Sequence, residues 1–284
     1  MGSLSGLTVV DFSRQLPGPF ASRELMRLGA RVVKVEPPDG DPTPEPWYSA
    51  LNRGKDVIRW DAHRERQPPV LRHADVVLEG FRPGVWDRLG VELPATTIIC
   101  SITGYGAQGL HRLDPGHDLN YLGYAGVLAD TAPNLPPVQI ADLAAGAQTA
   151  VIEVLAALLE RRRTGKGAHV IVSMTHSAHH FVAHRVEGDP TERLLTGGAA
   201  CYAVYETQDE RYLTVAALEP KFWANLCGLL ERPDLLDRAF EPALPELAAL
   251  FRTRPLAEWR ELLEGKETCV GPVLTPAEAA AELA

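Results

Sequence analysis

The N-terminal strand–helix–strand pattern constrains the fold of this chain most strongly. The run LTVVDFS (7–13) is short, apolar and partly β-branched, which is typical of a buried strand. PGPFASRELMRLGA (17–30) places Pro19 in a first helical turn and Gly29 at a helix stop. RVVKVEP (31–37) is a second apolar strand. The short joints between these elements predict a βαβ unit, and therefore a parallel sheet with a right-handed crossover.

Two later apolar runs, at 75–79 and within 96–106, extend this sheet and predict an α/β fold: an open, doubly wound, Rossmann-like parallel sheet. Ligands of such sheets lie beyond the carboxyl ends of the strands. Gly- and Pro-containing turns follow each of these ends, and they are the expected ligand edge. These turns are Ser13–Pro19, Pro37–Asp41, Gly80–Gly84 and Thr103–Gly106.

The C-terminal third has a different pattern and predicts a second, smaller α+β domain. A long Ala- and Leu-rich helix (143–165) and a strand–helix run (168–186) complete the first domain. The segment 201–218 is typical of a hairpin, and three amphipathic helices follow at 221–231, 244–253 and 256–265. We therefore expect a large domain at 1–185 and a small domain at 186–284.

Composition narrows the classes of partner. The net charge of −9 argues against nucleic-acid binding, which needs a basic surface. The four cysteines form no CxxC pair, which indicates free thiols in a reducing compartment. With no signal peptide and no stretch approaching a membrane span, we expect a cytoplasmic protein that binds no membrane.

Two carboxylates and one histidine stand out as candidate catalytic groups. Asp142 lies in PPVQIADLAAG, at the start of the long helix and among small residues that leave room for a ligand. His117 follows Gly116 in PGHDLNYL, and Glu219 ends a strand in LTVAALEPKFW. From spacing alone, helix capping is the commoner role for both carboxylates, and a surface position for the histidine. A catalytic role requires an acid partner for His117.

The basic residues suggest an anionic ligand. Phosphate groups favour such side chains, although solvated surface charge is the commoner state of any one of them. No GxxxxGK[ST] occurs, and the only GxGxxG, GYGAQG (104–109), does not lie in the turn after the first strand. Neither a dinucleotide nor a P-loop nucleotide is therefore expected. A histidine-rich helix (176–184) has metal-like spacing, but a polar helix face explains it as well, and we expect no metal. The basic candidates are Lys34, Arg53, Lys55 and Arg82.

Motifs along nearly the whole chain resemble the family III coenzyme A transferases (the CaiB/BaiF superfamily), and most closely their α-methylacyl-CoA racemase members. They occur in the order GLTVVDFSRQLPGPFASRELMRLGARVVKVEPP, LNRGK, ADVVLEGFRPGVWDRLGV, SITGYGAQG, PGHDLNYL, PPVQIADLAAG, ALLERRRTGKGAHVIVSM, GGAACYAVYET and RYLTVAALEPKFW.

The resemblance implies roles for the candidate residues. In the transferases the aspartate matching Asp142 is a nucleophile that forms a mixed anhydride and then an aspartyl-CoA thioester. In the racemases the same aspartate and the histidine matching His117 each serve one face of the α-carbon, and the glutamate matching Glu219 supports the histidine. Asp118 is expected to orient His117 or to cap the next helix, and Tyr121 to line the acyl pocket. With the four basic residues they form the expected CoA-thioester-binding set.

Three functions follow as hypotheses. The first is racemisation of a 2-methyl-branched acyl-CoA, in which coenzyme A is part of the substrate and no further cofactor is needed. The second is transfer of CoA between carboxylic acids, and the third is binding of CoA thioesters without turnover. His117 and Glu219 favour the first. The resemblance also implies an interlocked homodimer, whereas the usual C-terminal return segment is expected to be missing.

Overall fold

The structure, a computed structural model, describes residues 2–188 and 190–283. The chain divides into two units, Met1–Val186 and Glu187–Ala284. The division predicted from the sequence lies one residue earlier. Each unit is described separately below.

The first unit is built on six parallel strands in the order β3-β2-β1-β4-β5-β6. This order is that of a doubly wound Rossmann-like sheet, so the fold class predicted from the sequence is confirmed. Apolar residues cover both faces of the central strands, which therefore lack an alternating polar pattern. The strands are β1 Thr8–Asp11, β2 Arg31–Glu36, β3 Asp56–Arg59, β4 Val76–Glu79, β5 Ile98–Thr103 and β6 Ala168–Ser173.

Helices cover both faces of this sheet. The longest is α5, which continues directly from a nine-residue π-helical segment, Ile140–Gln148, and ends where Gly165 adopts a left-handed conformation. The α-helices of this unit are α1 Pro17–Arg27, α2 Trp47–Asn52, α3 Val85–Leu89, α4 Asp118–Tyr124, α5 Thr149–Thr164 and α6 Met174–His180.

The second unit has its own hydrophobic core, centred on the buried Trp223, Phe251 and Trp259. Its sheet is a small antiparallel one in the order β7-β8-β9, formed by the predicted hairpin and one further strand. The elements are β7 Tyr202–Glu206, β8 Tyr212–Ala216, α7 Pro220–Leu229, α8 Pro245–Phe251, α9 Leu256–Leu263, β9 Val270–Pro272 and α10 Pro276–Glu282.

The continuous helical stretch Ile140–Thr164 is long and apolar enough, by those two criteria alone, to cross a membrane. The sequence-based expectation that no segment approaches a membrane span is therefore wrong. A single such stretch is weak evidence for membrane insertion, because core helices meet the same criteria. Here Ala150, Val154 and Ala157 are buried in the core of the first unit.

Candidate functional site

A cavity of about 640 Å³, the main cavity, lies at the carboxyl ends of β1, β4 and β5. The sheet order reverses between β1 and β4, which is the position where open α/β sheets bind ligands. The predicted turns after these strands form much of its wall, so a cavity at this edge is confirmed. The lining comprises Ser13, Arg14, Gln15, Pro17, Gly18, Gly80, Phe81, Arg82, Pro83, Ile102, Thr103, Gly104, Tyr105, Arg112, Asp114, Pro115, Gly116, His117, Asn120, Tyr121 and Met174.

Two further cavities share walls with the main cavity. A connecting cavity of about 370 Å³ is lined by Pro42 as well as by residues after β1 and β4. An aromatic cavity of about 510 Å³ includes Phe12, Trp60 and the turn that follows β2. Arg14 and Phe81 line all three, so the cavities form one continuous surface along the sheet edge.

His117 directly precedes α4, and it lines the main cavity. Its backbone N–H donates to Oδ1 of Asn120 (3.1 Å), which fixes the start of the helix. Gly116 is required before it, because a Cβ there would lie 2.7 Å from the Tyr121 ring. The imidazole is exposed and therefore accessible to a ligand in the cavity.

Asp142 lies in the first turn of the π-helical segment and is only partly exposed. The segment starts at Ile140, so the alternative interpretation of Asp142 as a helix N-cap is wrong. Burial raises the pKa of the Asp142 carboxyl to about 7, and the neighbouring negative charge of Asp118 adds to the increase. Both protonation states of Asp142 are therefore populated at neutral pH.

Asp118 connects these two candidate catalytic residues. The Asp142 backbone N–H donates to Oδ1 of Asp118 (2.9 Å), and Asp118 directly follows His117 in the chain. Asp118 is the first residue of α4, so this bond joins α4 to the first turn of the π-helical segment and is neither of the two roles expected for Asp118. Asp142 itself is not part of the cavity lining, but Tyr121 is. Burial, followed by the charge of Asp142, raises the pKa of the Tyr121 phenol to about 12.

Three arginines line the main cavity: Arg14, Arg82 and Arg112. Arg82 was expected from the sequence, whereas Arg14 and Arg112 were missed. The signal for Arg14 was present, because it lies in the predicted ligand-edge turn directly after β1. These guanidinium groups give the main cavity a local positive charge in a protein whose net charge is −9.

The other basic candidates lie elsewhere. Lys34 and Lys55 have fully buried side chains paired with Asp41 and Asp11, at 2.8 Å and 3.4 Å. Arg53 is exposed at the end of α2 and lines none of the three cavities. The structure thus gathers Arg82, His117 and Tyr121 at the main cavity and not these three basic residues.

Glu219 lies in the second unit, at the residue before α7, and its side chain is exposed. Its carbonyl accepts the amide hydrogen bonds of Phe222 and Trp223, which start the helix. Among residues 2–188 and 190–283, no group of three or more His, Cys, Asp or Glu is placed to hold a metal ion. Two histidines of α6 make hydrogen-bond contacts: His176 with the Ser173 hydroxyl (2.8 Å) and His179 with the Ala125 carbonyl (3.0 Å).

The chain was compared with known families and proteins. It matches the profile of CoA-transferase family III over residues 4–283. It is 33% identical over 302 residues to α-methylacyl-CoA racemase from Homo sapiens, covering 96% of this chain and 78% of that protein. It is 30% identical over 326 residues to acetyl-CoA:oxalate CoA-transferase from Acetobacter aceti, covering 98% and 82% respectively.

Solved structures show the same similarity. A crystal structure of a CaiB/BaiF family protein from Brucella suis superposes with a TM-score of 0.79 at 27% identity, covering 99% of this chain and 86% of that one. The family match extends over nearly the whole chain and agrees with the doubly wound sheet and with the motifs around His117 and Asp142. This chain belongs to CoA-transferase family III.

Proposed function

We propose that this protein is a racemase or epimerase of 2-methyl-branched acyl-CoA thioesters. One group removes the proton from C2 of the acyl chain, leaving an enolate, and a second group returns a proton to the opposite face. The reaction moves only protons, so it balances without a redox partner. His117 and Asp142 are the proposed proton carriers.

The observation that carries this proposal is the raised pKa of Asp142, together with its contact to Asp118. Acid–base catalysis is most effective when the pKa of the group lies near the working pH. The pKa of Asp142 is raised to about 7, and its backbone N–H donates to Asp118, the residue that follows His117. A carboxyl group that is partly protonated at neutral pH suits a proton carrier better than a nucleophile, which reacts in its ionised form.

The connected cavities suit the remainder of a CoA thioester. Arg14 and Arg82 line both the main and the connecting cavity, where they would bind phosphate groups. The aromatic cavity offers Phe12 and Trp60, whose ring centroids lie 5.8 Å apart, as an apolar site for the adenine. The thioester would then extend towards His117. The similarity to α-methylacyl-CoA racemase supports the same assignment.

CoA transfer between carboxylic acids is the second candidate. It is favoured by the carboxyl group of Asp142 and by the similarity to acetyl-CoA:oxalate CoA-transferase. In that reaction Asp142 would act as the nucleophile and no second proton carrier would be needed. Binding of CoA thioesters without turnover is the third candidate.

Deuterium uptake at C2 of a 2-methylacyl-CoA in D₂O, followed by NMR, distinguishes the three. We expect uptake by the wild type, and loss of exchange on one face in Asp142→Asn and on the opposite face in His117→Ala. Glu153→Gln, which removes an exposed carboxylate from α5, is the matched control and should exchange normally.

Other outcomes favour the other candidates. Acid-dependent CoA transfer without C2 exchange would favour the transferase. Thermal stabilisation by acyl-CoA with neither reaction would favour the binding protein. Unchanged racemisation in His117→Ala would rule out the two-carrier mechanism. Glu219→Gln tests the expected support of His117, which predicts a lower kcat with the fold intact.

A further inference from the structure

Two lysines that the mechanism does not use lie behind the wall of the main cavity. Lys34 Nζ donates to the Ser13 carbonyl (2.9 Å), and Lys55 Nζ donates to the Pro19 carbonyl (2.9 Å). Ser13 and Pro19 are the two ends of the loop between β1 and the first turn of α1. Most residues between them line the main cavity. Each end of this loop is therefore held by a buried ammonium group.

We propose that Lys34 and Lys55 are positioning residues, which fix the Ser13–Pro19 loop and thereby the wall shared by the main and connecting cavities. They act through the loop and do not contact the ligand. The identity of the ligand rests on the proposed function, whereas the effect on the loop does not.

The donor groups of Lys55 are already in use. Besides the Pro19 carbonyl, its ammonium donates to Oγ of Ser22 (2.7 Å) and to Oδ1 of Asn52 (2.8 Å). An ammonium group has three N–H donors, so these contacts use all of them. The side chain is fully buried. Lys55 could therefore bind a phosphate group only if it gave up hydrogen bonds that hold the loop.

Asp11 holds the same loop from the end of β1. Its Oδ1 accepts from the backbone N–H of Ser13 (2.9 Å) and from the Ser13 hydroxyl. Its Oδ2 accepts from Oγ of Ser22 (2.5 Å) and lies 3.4 Å from the Lys55 ammonium. The buried carboxylate is thus fully hydrogen-bonded, which is the condition for a stable buried charge.

Lys34 extends the arrangement to a second loop. Its ammonium pairs with Asp41 (2.8 Å), whose side chain is almost fully buried and whose Oδ1 also accepts from the Thr43 backbone N–H (2.9 Å). Pro42, the residue between Asp41 and Thr43, lines the connecting cavity together with Arg14 and Gln15. Lys34 therefore connects two walls of the connecting cavity.

The loop itself needs such restraint. Gln15 lines the main and connecting cavities with φ of 64°, a left-handed conformation that is unfavourable for a residue other than glycine. Gly18 packs so closely on Ser13 that a Cβ would lie 1.9 Å from the Ser13 hydroxyl oxygen. Strained backbone of this kind persists only where surrounding contacts hold it in place. The hydrogen bonds from Lys34 to Ser13 and from Lys55 to Pro19 are such contacts.

The test uses Lys55→Met in the full chain, because Asp11 then keeps its Ser13 and Ser22 donors. Lys166→Met, which changes an exposed lysine of the same unit, is the matched control. Amide hydrogen exchange of the 13–19 peptide is measured without ligand. Dissociation constants are measured for two ligands, a 2-methylacyl-CoA and the corresponding pantetheine thioester, which lacks the CoA phosphates.

We expect faster exchange in the 13–19 peptide and affinity reduced about tenfold or more for both ligands, since small displacements of a positioning element have effects of this size or larger. Lys166→Met should change neither. A loss confined to the CoA thioester would place Lys55 on a phosphate and overturn the proposal. Unchanged exchange and unchanged affinity would assign the lysine to the core alone and also overturn it.

Asp41→Asn keeps the proposal testable if Lys55→Met does not fold. It retains the oxygen that accepts from Thr43, and it replaces the oxygen paired with Lys34 by an uncharged amide NH₂, which cannot accept from the ammonium. We expect a smaller change of the same kind, with weaker binding of both thioesters. If both the amide exchange and the affinities stayed unchanged, the inference would be contradicted. Because exchange is measured without turnover, it remains informative even if the protein proves not to be a racemase.

Discussion

At the scale of single residues, Asp142 combines a requirement of the proposed reaction with a cost to the fold. Its carboxyl lies partly buried beside another carboxylate, and its pKa is raised from 3.8 to about 7. The folded protein therefore retains a proton on Asp142 at pH values where the unfolded chain has lost it. Stability associated with this group is full below about pH 4 and is lost as the pH rises through 7.

Asp142→Asn should consequently stabilise the protein while it abolishes racemisation and C2 exchange on one face. The amide has nearly the shape of the carboxyl but carries no charge, so it removes the penalty of ionising a buried group. The gain in free energy of unfolding should be on the order of 2 kcal/mol at pH 8 and should shrink towards pH 5. Urea unfolding of both proteins at several pH values measures it. A gain that is constant with pH would show that Asp142 does not titrate near 7.

At the scale of secondary structure elements, the contact between α4 and the π-helical segment determines how His117 and Asp142 are placed. The bond from the Asp142 N–H to Asp118 joins two elements separated by 24 positions in the chain. The sequence indicated each candidate separately, but neither periodicity nor spacing contains this contact. The π-helical turn was also unpredictable, because its residues fit an ordinary α-helix equally well.

The Asp118 contact can be tested by separating its charge from its hydrogen bond. Asp118→Asn retains the acceptor oxygen but removes the charge, so we expect the pKa of Asp142 to fall. The limb of the pH–rate profile assigned to Asp142 should move to lower pH, with little change in KM. Asp118→Ala loses both functions and should lower kcat further, by about tenfold or more. A profile unmoved in Asp118→Asn would show that the residue has only a structural role.

Physical reasons explain why some parts of the fold were predicted from the sequence and others were missed. β1, β2 and β4 were found because their apolar residues are buried on both sides. β3 was missed because it is an edge strand with largely exposed residues. At the site, Arg82 was identified as a residue after a strand end. Lys34 was chosen because it lies late in a strand, but its side chain is buried against the Ser13 carbonyl and Asp41, an arrangement that only the tertiary structure defines.

Gly146 in the π-helical segment offers a second test at this scale. A Cβ there would lie 2.7 Å from Cγ of Met174, a lining residue of the main cavity. Gly146→Ala should therefore destabilise the protein by about 1–3 kcal/mol and alter the cavity. Gly228→Ala in α7 is the control: no atom lies within 4 Å of its added Cβ, so it should stabilise by about 0.5–1 kcal/mol. Thermal unfolding compares the two, and equal shifts would contradict the packing argument.

At the scale of the whole molecule, charge is distributed unevenly. The net charge is −9, yet the main cavity is lined by Arg14, Arg82 and Arg112. An anionic CoA thioester is therefore repelled at long range and attracted at short range. Salt screens the long-range component first, since the Debye length falls from about 10 Å at 0.1 M to about 3 Å at 1 M. The two components can be separated by measuring affinity against salt concentration.

The double variant Arg14→Ala/Arg82→Ala makes this separation. In the wild type we expect affinity for a CoA thioester to fall with salt, because the arginine–phosphate contacts dominate. In the variant, affinity should be lower and its dependence on salt weak or reversed, because the remaining repulsion is relieved by screening. Calorimetric titration between about 0.1 M and about 1 M NaCl, over which the Debye length falls about threefold, measures both slopes. Arg162→Ala/Arg163→Ala, at the exposed end of α5, is the control with equal loss of charge. If the two double variants share one slope, the phosphates do not bind at Arg14 and Arg82.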